Sequence, residues 1–180
     1  SEPFGLAWAL QQPFADSAGS PFYGDIVWLA EQGISGGCGP DAFCPLDPVT
    51  RGQMASFLSR ALDLPPATSD HFTDDGGSIH QDDINRVAEA GIASGCGGGR
   101  FCPDRSVTRE EMASFLVNAF ELPPTGTDPF TDDEGSIHEN MINALAASGI
   151  TSGCAAALYC PRDDVTREQM AAFLHRALED

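Results

Sequence analysis

Three copies of one pattern, spaced 58 residues apart, constrain this chain more than anything else in it. Phe14, Phe72 and Phe130 keep that spacing, as do Ile26, Ile84 and Ile142, and Gly33, Gly91 and Gly149. So do Cys38, Cys96 and Cys154; Cys44, Cys102 and Cys160; and Thr50, Thr108 and Thr166. No residue is gained or lost between the copies. A unit this short buries too little surface to stand alone, so the copies should share one core. Three equal units can close round a threefold axis or stack in a row, and the spacing is compatible with both.

Each unit repeats one internal plan. An acidic loop opens it (Asp16-Ser17, Asp74-Asp75, Asp132-Asp133-Glu134). A first helix follows, introduced by Ser20-Pro21 or by the capping-box patterns Ser78-Ile79-His80-Gln81 and Ser136-Ile137-His138-Glu139. Its apolar residues, such as Ile26, Leu29 and Ala30, have amphipathic spacing, and it ends at Gly33, Gly91 or Gly149. A glycine-rich loop with two cysteines leads to a second helix. That helix starts at Val-Thr-Arg with Gln53, Glu111 or Gln169 three residues beyond the threonine, a capping box. Val49 and Met54 and their counterparts have the spacing of a hydrophobic staple. Proline pairs at Pro65-Pro66 and Pro123-Pro124 end the first two units. The expected architecture is mainly α, built of three helix-loop-helix motifs at 14–66, 67–124 and 125–180, with residues 1–13 as an N-terminal arm or linker stub in which Phe4 and Trp8 could dock on the body.

Composition narrows the function. The formal net charge is −18, and all 9 basic residues are arginines. So acidic a chain is repelled by nucleic acid and by anionic membrane surfaces, and no apolar run is long enough to insert in a bilayer. Six cysteines in regular C-x5-C pairs read as three local disulfides, Cys38 with Cys44, Cys96 with Cys102 and Cys154 with Cys160, and as secretion into an oxidising compartment. Zinc sites use closer pairs and four ligands. The acidic loops lack the ligand spacing of an EF-hand: with Gly135 at its sixth position, Phe130 would be first and Met141 last. No nucleophile elbow or phosphate-cradling loop occurs, so neither a catalysed reaction nor a cofactor or metal is expected.

One repeated feature resists a purely local account. Arg51, Arg109 and Arg167 each occupy the first helical position, where a cation typically costs about 0.3–1 kcal/mol against the helix dipole. Either internal acids offset that cost, with Asp47 or Asp163 as candidates, or the helix mouth and guanidinium together hold an external anion. From the residues alone the two readings stand level.

The repeats resemble the S-layer homology domain family over residues 14–180. The resemblance is carried by the opening Phe-x-Asp, the Gly33-Ile34 turn, the glycine loop ending in Phe43-x-Pro45, and the Val-Thr-Arg helix start with Met54 and Phe57 behind it. It implies a pseudo-threefold unit with a central helical bundle, anchored at a bacterial cell surface. The implied ligand is a secondary cell-wall polysaccharide, often pyruvylated. Arg51, Arg109 and Arg167 would meet its acid in grooves between motifs, and Gly37, Gly95 and Gly153 would let the sugar approach the backbone. This chain departs from the family where acids flank the arginine (Glu110-Glu111 and Glu168) and where cysteines enter the loop. Two further expectations stand beside anchoring: a self-assembly module of a surface layer or filament, or a calcium-dependent adhesin using Asp74, Asp75, Asp132 and Asp133.

Overall fold

The computed structural model describes residues 13–179. Phe4 and Trp8, with the rest of the N-terminal arm, lie outside the described residues. Six α-helices follow one another: α1 Tyr23–Glu31, α2 Arg51–Ala61, α3 Gln81–Glu89, α4 Arg109–Phe120, α5 Glu139–Ala147 and α6 Arg167–Glu179. Among the described residues there is no strand, only isolated bridges.

The second helix of each motif starts where its sequence says it should. Thr50 and Thr108 form full capping boxes with Gln53 and Glu111. Thr166 and Gln169 exchange the same pair of bonds at α6. The staple residues Val49, Val107 and Val165 and Met54, Met112 and Met170 are completely buried. The first helices begin later than their serines suggest. Ser20, Ser78 and Ser136 accept from the N–H of Phe22, His80 and His138, and the helices start one residue further on, without a side-chain cap. In motifs 2 and 3 successive turns, Ser78 N to Asp75 O then Gln81 N to Ser78 O and their equivalents, satisfy these amides instead. The C-terminal glycine cap is present: Gly33 has φ +69°, and Ile34 N returns to Leu29 O.

Helices pair across motif boundaries. α2 packs on α3, α4 on α5, and α6 on α1, so the last helix closes on the first. At the centre, Val107 N donates to Val49 O, Val165 N to Val107 O, and Val49 N to Val165 O, each at 2.9 Å. Such a closed cycle of backbone bonds belongs to a ring, not to an open stack. The pseudo-threefold arrangement therefore holds. The core lies inside this ring, and Phe43, Phe101 and Tyr159 are fully buried in it.

Candidate functional site

The helix mouths are not open. Arg51 N donates to Arg105 O and Gly52 N to Pro103 O; Arg109 N and Glu110 N donate to Asp163 O and Pro161 O; Arg167 N and Glu168 N donate to Asp47 O and Pro45 O. The next motif's own loop thus takes the first two amides, and the capping threonine takes the third. The expectation of free amides at these mouths is corrected on that ground. It could not be read locally, because the acceptors are backbone atoms of another motif.

The guanidinium groups are buried as well. Arg51, Arg109 and Arg167 are 4%, 6% and 3% exposed. Each Nε donates to a carbonyl of the next motif, Phe101 O, Tyr159 O and Phe43 O, at 2.7–2.8 Å. Each guanidinium also lies over two aromatic rings: Phe101 and Phe115, Tyr159 and Phe173, Phe43 and Phe57. Among the described residues only Arg51 reaches a carboxylate, Glu111, at 3.8 Å. The expected ion pairs within a motif, Arg51 with Asp47 and Arg167 with Asp163, do not form among the described residues; the backbone carbonyls of those aspartates instead accept from Arg167 N and Arg109 N of another motif. One Nη of Arg109 and one of Arg167 have no partner. Burial pulls the guanidinium of Arg51 and of Arg167 below the ordinary value; Glu111 acts against this for Arg51, and Asp47 and Asp16 for Arg167. A guanidinium is effectively always protonated in a protein, and both are read here as cations.

The cysteine loops are clipped twice. Cys38–Cys44, Cys96–Cys102 and Cys154–Cys160 are disulfides, as the spacing predicts. The acid that opens each motif supplies the second clip. Asp16 accepts from Phe43 N and Cys44 N, Asp74 from Phe101 N and Cys102 N, and Asp132 from Tyr159 N and Cys160 N. The Phe43 N–H leads in holding the Asp16 carboxyl below its usual range. For Asp74 burial pushes the other way and is outweighed by the N–H groups of Phe101 and Cys102. The sequence marks these three aspartates by their common spacing and by Phe-x-Asp, but not their role, because the amides they accept from lie 27 and 28 residues on. Gly37, Gly95 and Gly153 face inward: a Cβ on each would lie within 2.7 Å of the Phe14, Phe72 or Phe130 ring and against a loop carbonyl. Their lack of a side chain serves the protein's own packing.

One cleft between motifs contains a predicted arginine. It has a volume of about 430 Å³. Arg51 and Arg105 flank it with Glu111, Ser114 and His138, and the backbone at Gly95 forms part of its wall. Arg105 is half-exposed and ion-paired to Glu111. His138 Nδ1 bonds Ser114 Oγ at 2.6 Å, tying α5 to α4. The structure therefore brings Arg51 and Gly95 to one cleft, but leaves Arg109 and Arg167 at the other two motif junctions and packs Gly37 and Gly153 within their own motifs. The flanking acids are occupied: Ser136 Oγ donates to Glu110 and Ser20 Oγ to Glu168, both at 2.6 Å. At the first junction Gly52 stands in place of the acid, and a Cβ there would lie 2.8 Å from the His80 ring.

The acidic loops do not converge on a cation. Apart from Asp16 and Asp74 beside disulfide-bonded cysteines, no three His, Cys, Asp or Glu ligand atoms come within 4.8 Å of one another among the described residues. Asp75 and Asp133 are buried, and burial raises both carboxyls above the usual range. No helix is long and apolar enough to cross a membrane among the described residues.

The closed ring of three repeats defines the class of fold, and comparison with known proteins gives its family. Residues 13–55 and 72–113 match the S-layer homology domain. The chain is 31% identical to an S-layer protein of Bacillus thuringiensis subsp. finitimus over 83% of its own length and 19% of that protein's. It is 29% identical to an endoglucanase of Bacillus sp. (strain KSM-635), over 92% of its own length and 19% of the enzyme's. It is 31% identical to a cellulosome-anchoring protein of Acetivibrio thermocellus, over 53% and 23% respectively. The chain thus spans less than a quarter of each of these relatives. The chain belongs to the S-layer homology domain family, and is a cell-surface anchoring module. The third motif, beyond the matched residues, continues the same period and closes the same ring.

Proposed function

We propose that this domain holds a larger protein to the cell wall by binding an anionic wall polysaccharide, with an acidic sugar seated in the cleft beside Arg51. The observation that carries the reading is that cleft. It places two guanidinium groups against one carboxylate, in a chain whose overall charge is −18, and surrounds them with hydroxyl, imidazole and backbone groups suited to a sugar. Its volume suits one or two sugar rings. Arg51 is braced by Phe101 and Phe115 and acts as a preset charge; Arg105, half-exposed, would exchange its Glu111 partner for the ligand's acid. A pyruvylated sugar fits this chemistry, since its carboxylate can take a guanidinium fork.

Sedimentation with purified cell-wall sacculi tests the reading. The parent chain is expected to pellet with sacculi and to stay in solution once their acidic polysaccharide is stripped. Arg105→Ala is expected to weaken pelleting at least tenfold with unchanged circular dichroism. Undiminished pelleting of a folded Arg105→Ala chain, or of the parent on stripped sacculi, would overturn it. A self-assembly reading draws on one observation, the 93% exposure of the threefold-related Ile79 and Ile137. It predicts concentration-dependent oligomers in sedimentation velocity without any glycan, which Ile79→Ser with Ile137→Ser would abolish.

A further inference from the structure

We propose that motif 3 carries a separate sugar site, a small cleft on α5 that takes the acetamido group of an uncharged N-acetylated sugar, independently of the cleft beside Arg51. The cleft has a volume of about 300 Å³ and lies between α5 and the segment that enters motif 3. Thr127, Pro129 and Phe130 of that segment line it, with Asn143, Ala146 and Thr151. Its lining holds no charged residue, in a chain with 27 acids. A ligand selected by its charge is therefore excluded.

The repeat sets this cleft apart from its counterparts. At the same place in motif 2, His71 N donates to Asn85 Oδ1 at 2.7 Å, so donor and acceptor match. In motif 1 the two positions hold Pro13 and Val27, which offer neither, and these match as well. Motif 3 sets Pro129 against Asn143: the acceptor is kept and its donor is lost. Asn143 is 7% exposed, and its Oδ1 has no partner among the described residues. A buried acceptor without a donor is costly, and a ligand's N–H supplies one. In the same cleft Thr151 Oγ1 accepts from Gly153 N at 3.1 Å, which leaves its own proton to donate. Ala146 and Phe130 add apolar wall. An acetamido group presents the matching set in one flat unit: an N–H, a carbonyl and a methyl. Thr127 and Ser152, exposed at the rim, suit hydroxyls of the ring that carries it. Access follows from two further replacements. In motif 2 the entering segment is also bolted to its helix where Thr68 N and Oγ1 donate to Glu89 at 2.8 and 3.0 Å. Gly126 and Ala147 stand at those positions in motif 3. Without these anchors the segment can lift from Asn143 by the small amount a ligand requires.

The full chain is titrated with the methyl glycoside of N-acetylglucosamine and followed by NMR. Saturable shifts are expected at the Asn143 side-chain amide and at the backbone amides of Ala146 and Thr151. Methyl glucoside is expected to give none. Pro129→His restores the motif-2 donor while leaving Asn143 in place, and is expected to weaken binding at least tenfold. The protected amides of Val49, Val107 and Val165 report whether that variant is folded. If it is not, Asn143→Val serves in its place, since motif 1 accommodates the pair Pro13 and Val27. Absence of saturable shifts at this cleft overturns the proposal, as does a folded variant that binds like the parent. Equal binding of methyl glucoside, or of N-acetylalanine amide, also overturns it, because the occupant is then any sugar or an acetylated peptide. Shifts confined to Arg51, Ser114 and His138 overturn it as well, and leave the reading of that other cleft intact.

Discussion

At the scale of single residues, the three arginines look like ligand contacts in the sequence and act in the structure as crossbeams. Arg109 links α4 to the loop of motif 3 through Tyr159 O, and Tyr159 Oη donates back to Arg109 O at 2.7 Å. Removing the side chain leaves a buried carbonyl unpaired and uncovers two rings. Arg109→Ala is therefore expected to cost about 3 kcal/mol in urea unfolding, well beyond a surface change. The aspartate clips carry a pH signature. The folded-state values of Asp16 and Asp74 lie below the usual ~3.9, so their contribution is whole above that pH and is lost as pH falls through the lower, folded values. Asp133 has the opposite sign. Its buried carboxylate has no partner on either oxygen and its value is raised, so the charge opposes folding at neutral pH. Asp133→Asn is expected to raise the melting temperature at pH 7. That gain should shrink as pH falls through the raised folded value and vanish below ~3.9, where the wild-type group is protonated in both states. A lower melting temperature at pH 7 would instead give the carboxylate a structural role.

At the scale of elements, what could be read from the sequence was what neighbours decide. α2, α4 and α6 follow from a threonine, a glutamine or glutamate three residues on, and a valine–methionine staple, all within one turn. The starts of α1, α3 and α5 were placed too early, because Ser20, Ser78 and Ser136 close tight turns ahead of the helix and leave it without a side-chain cap. The candidate site was half legible. Arg51 and Gly95 do reach a cleft, but Arg105, Ser114 and His138 join them there from three different parts of the chain. The role of Asp16, whose partners lie 27 and 28 residues away, had no local signal, since backbone amides carry no signature in sequence. Histidine and serine covary across the helix pairs for a reason the repeat alone did not show. His80 Nδ1 meets Ser56 Oγ at 2.8 Å and His138 meets Ser114, whereas the third pair has Phe22 and Ala172 at these positions. The cysteine loop is held by its disulfide and by the aspartate together. Replacing Cys38 and Cys44 by serine is expected to cost about 2 kcal/mol, since the closed loop is short. With Asp16 still in place the fold should survive, with unchanged near-ultraviolet circular dichroism.

At the scale of the whole molecule, every motif is completed by another. Motif 1 gives its arginine to motif 2, motif 2 to motif 3, and motif 3 back to motif 1. The valine cycle and the helix pairs run round the same ring. This differs from a linear repeat array, in which a terminal unit contacts one neighbour and can fray alone. Here no unit is terminal. Deleting residues 125–180 would strip α6 from α1, remove the acceptor of Val49 N, and leave Arg109 without Tyr159 O. Both remaining motifs would lose a face. The truncated chain is therefore expected to lack a cooperative transition and fixed near-ultraviolet circular dichroism, although two of its three repeats are intact in sequence. The full domain should melt in one calorimetric transition whose enthalpy equals its van't Hoff value. Stepwise melting of the parent, or a two-motif fragment that unfolds cooperatively, would mean that the ring bonds contribute little and that each motif stands by itself.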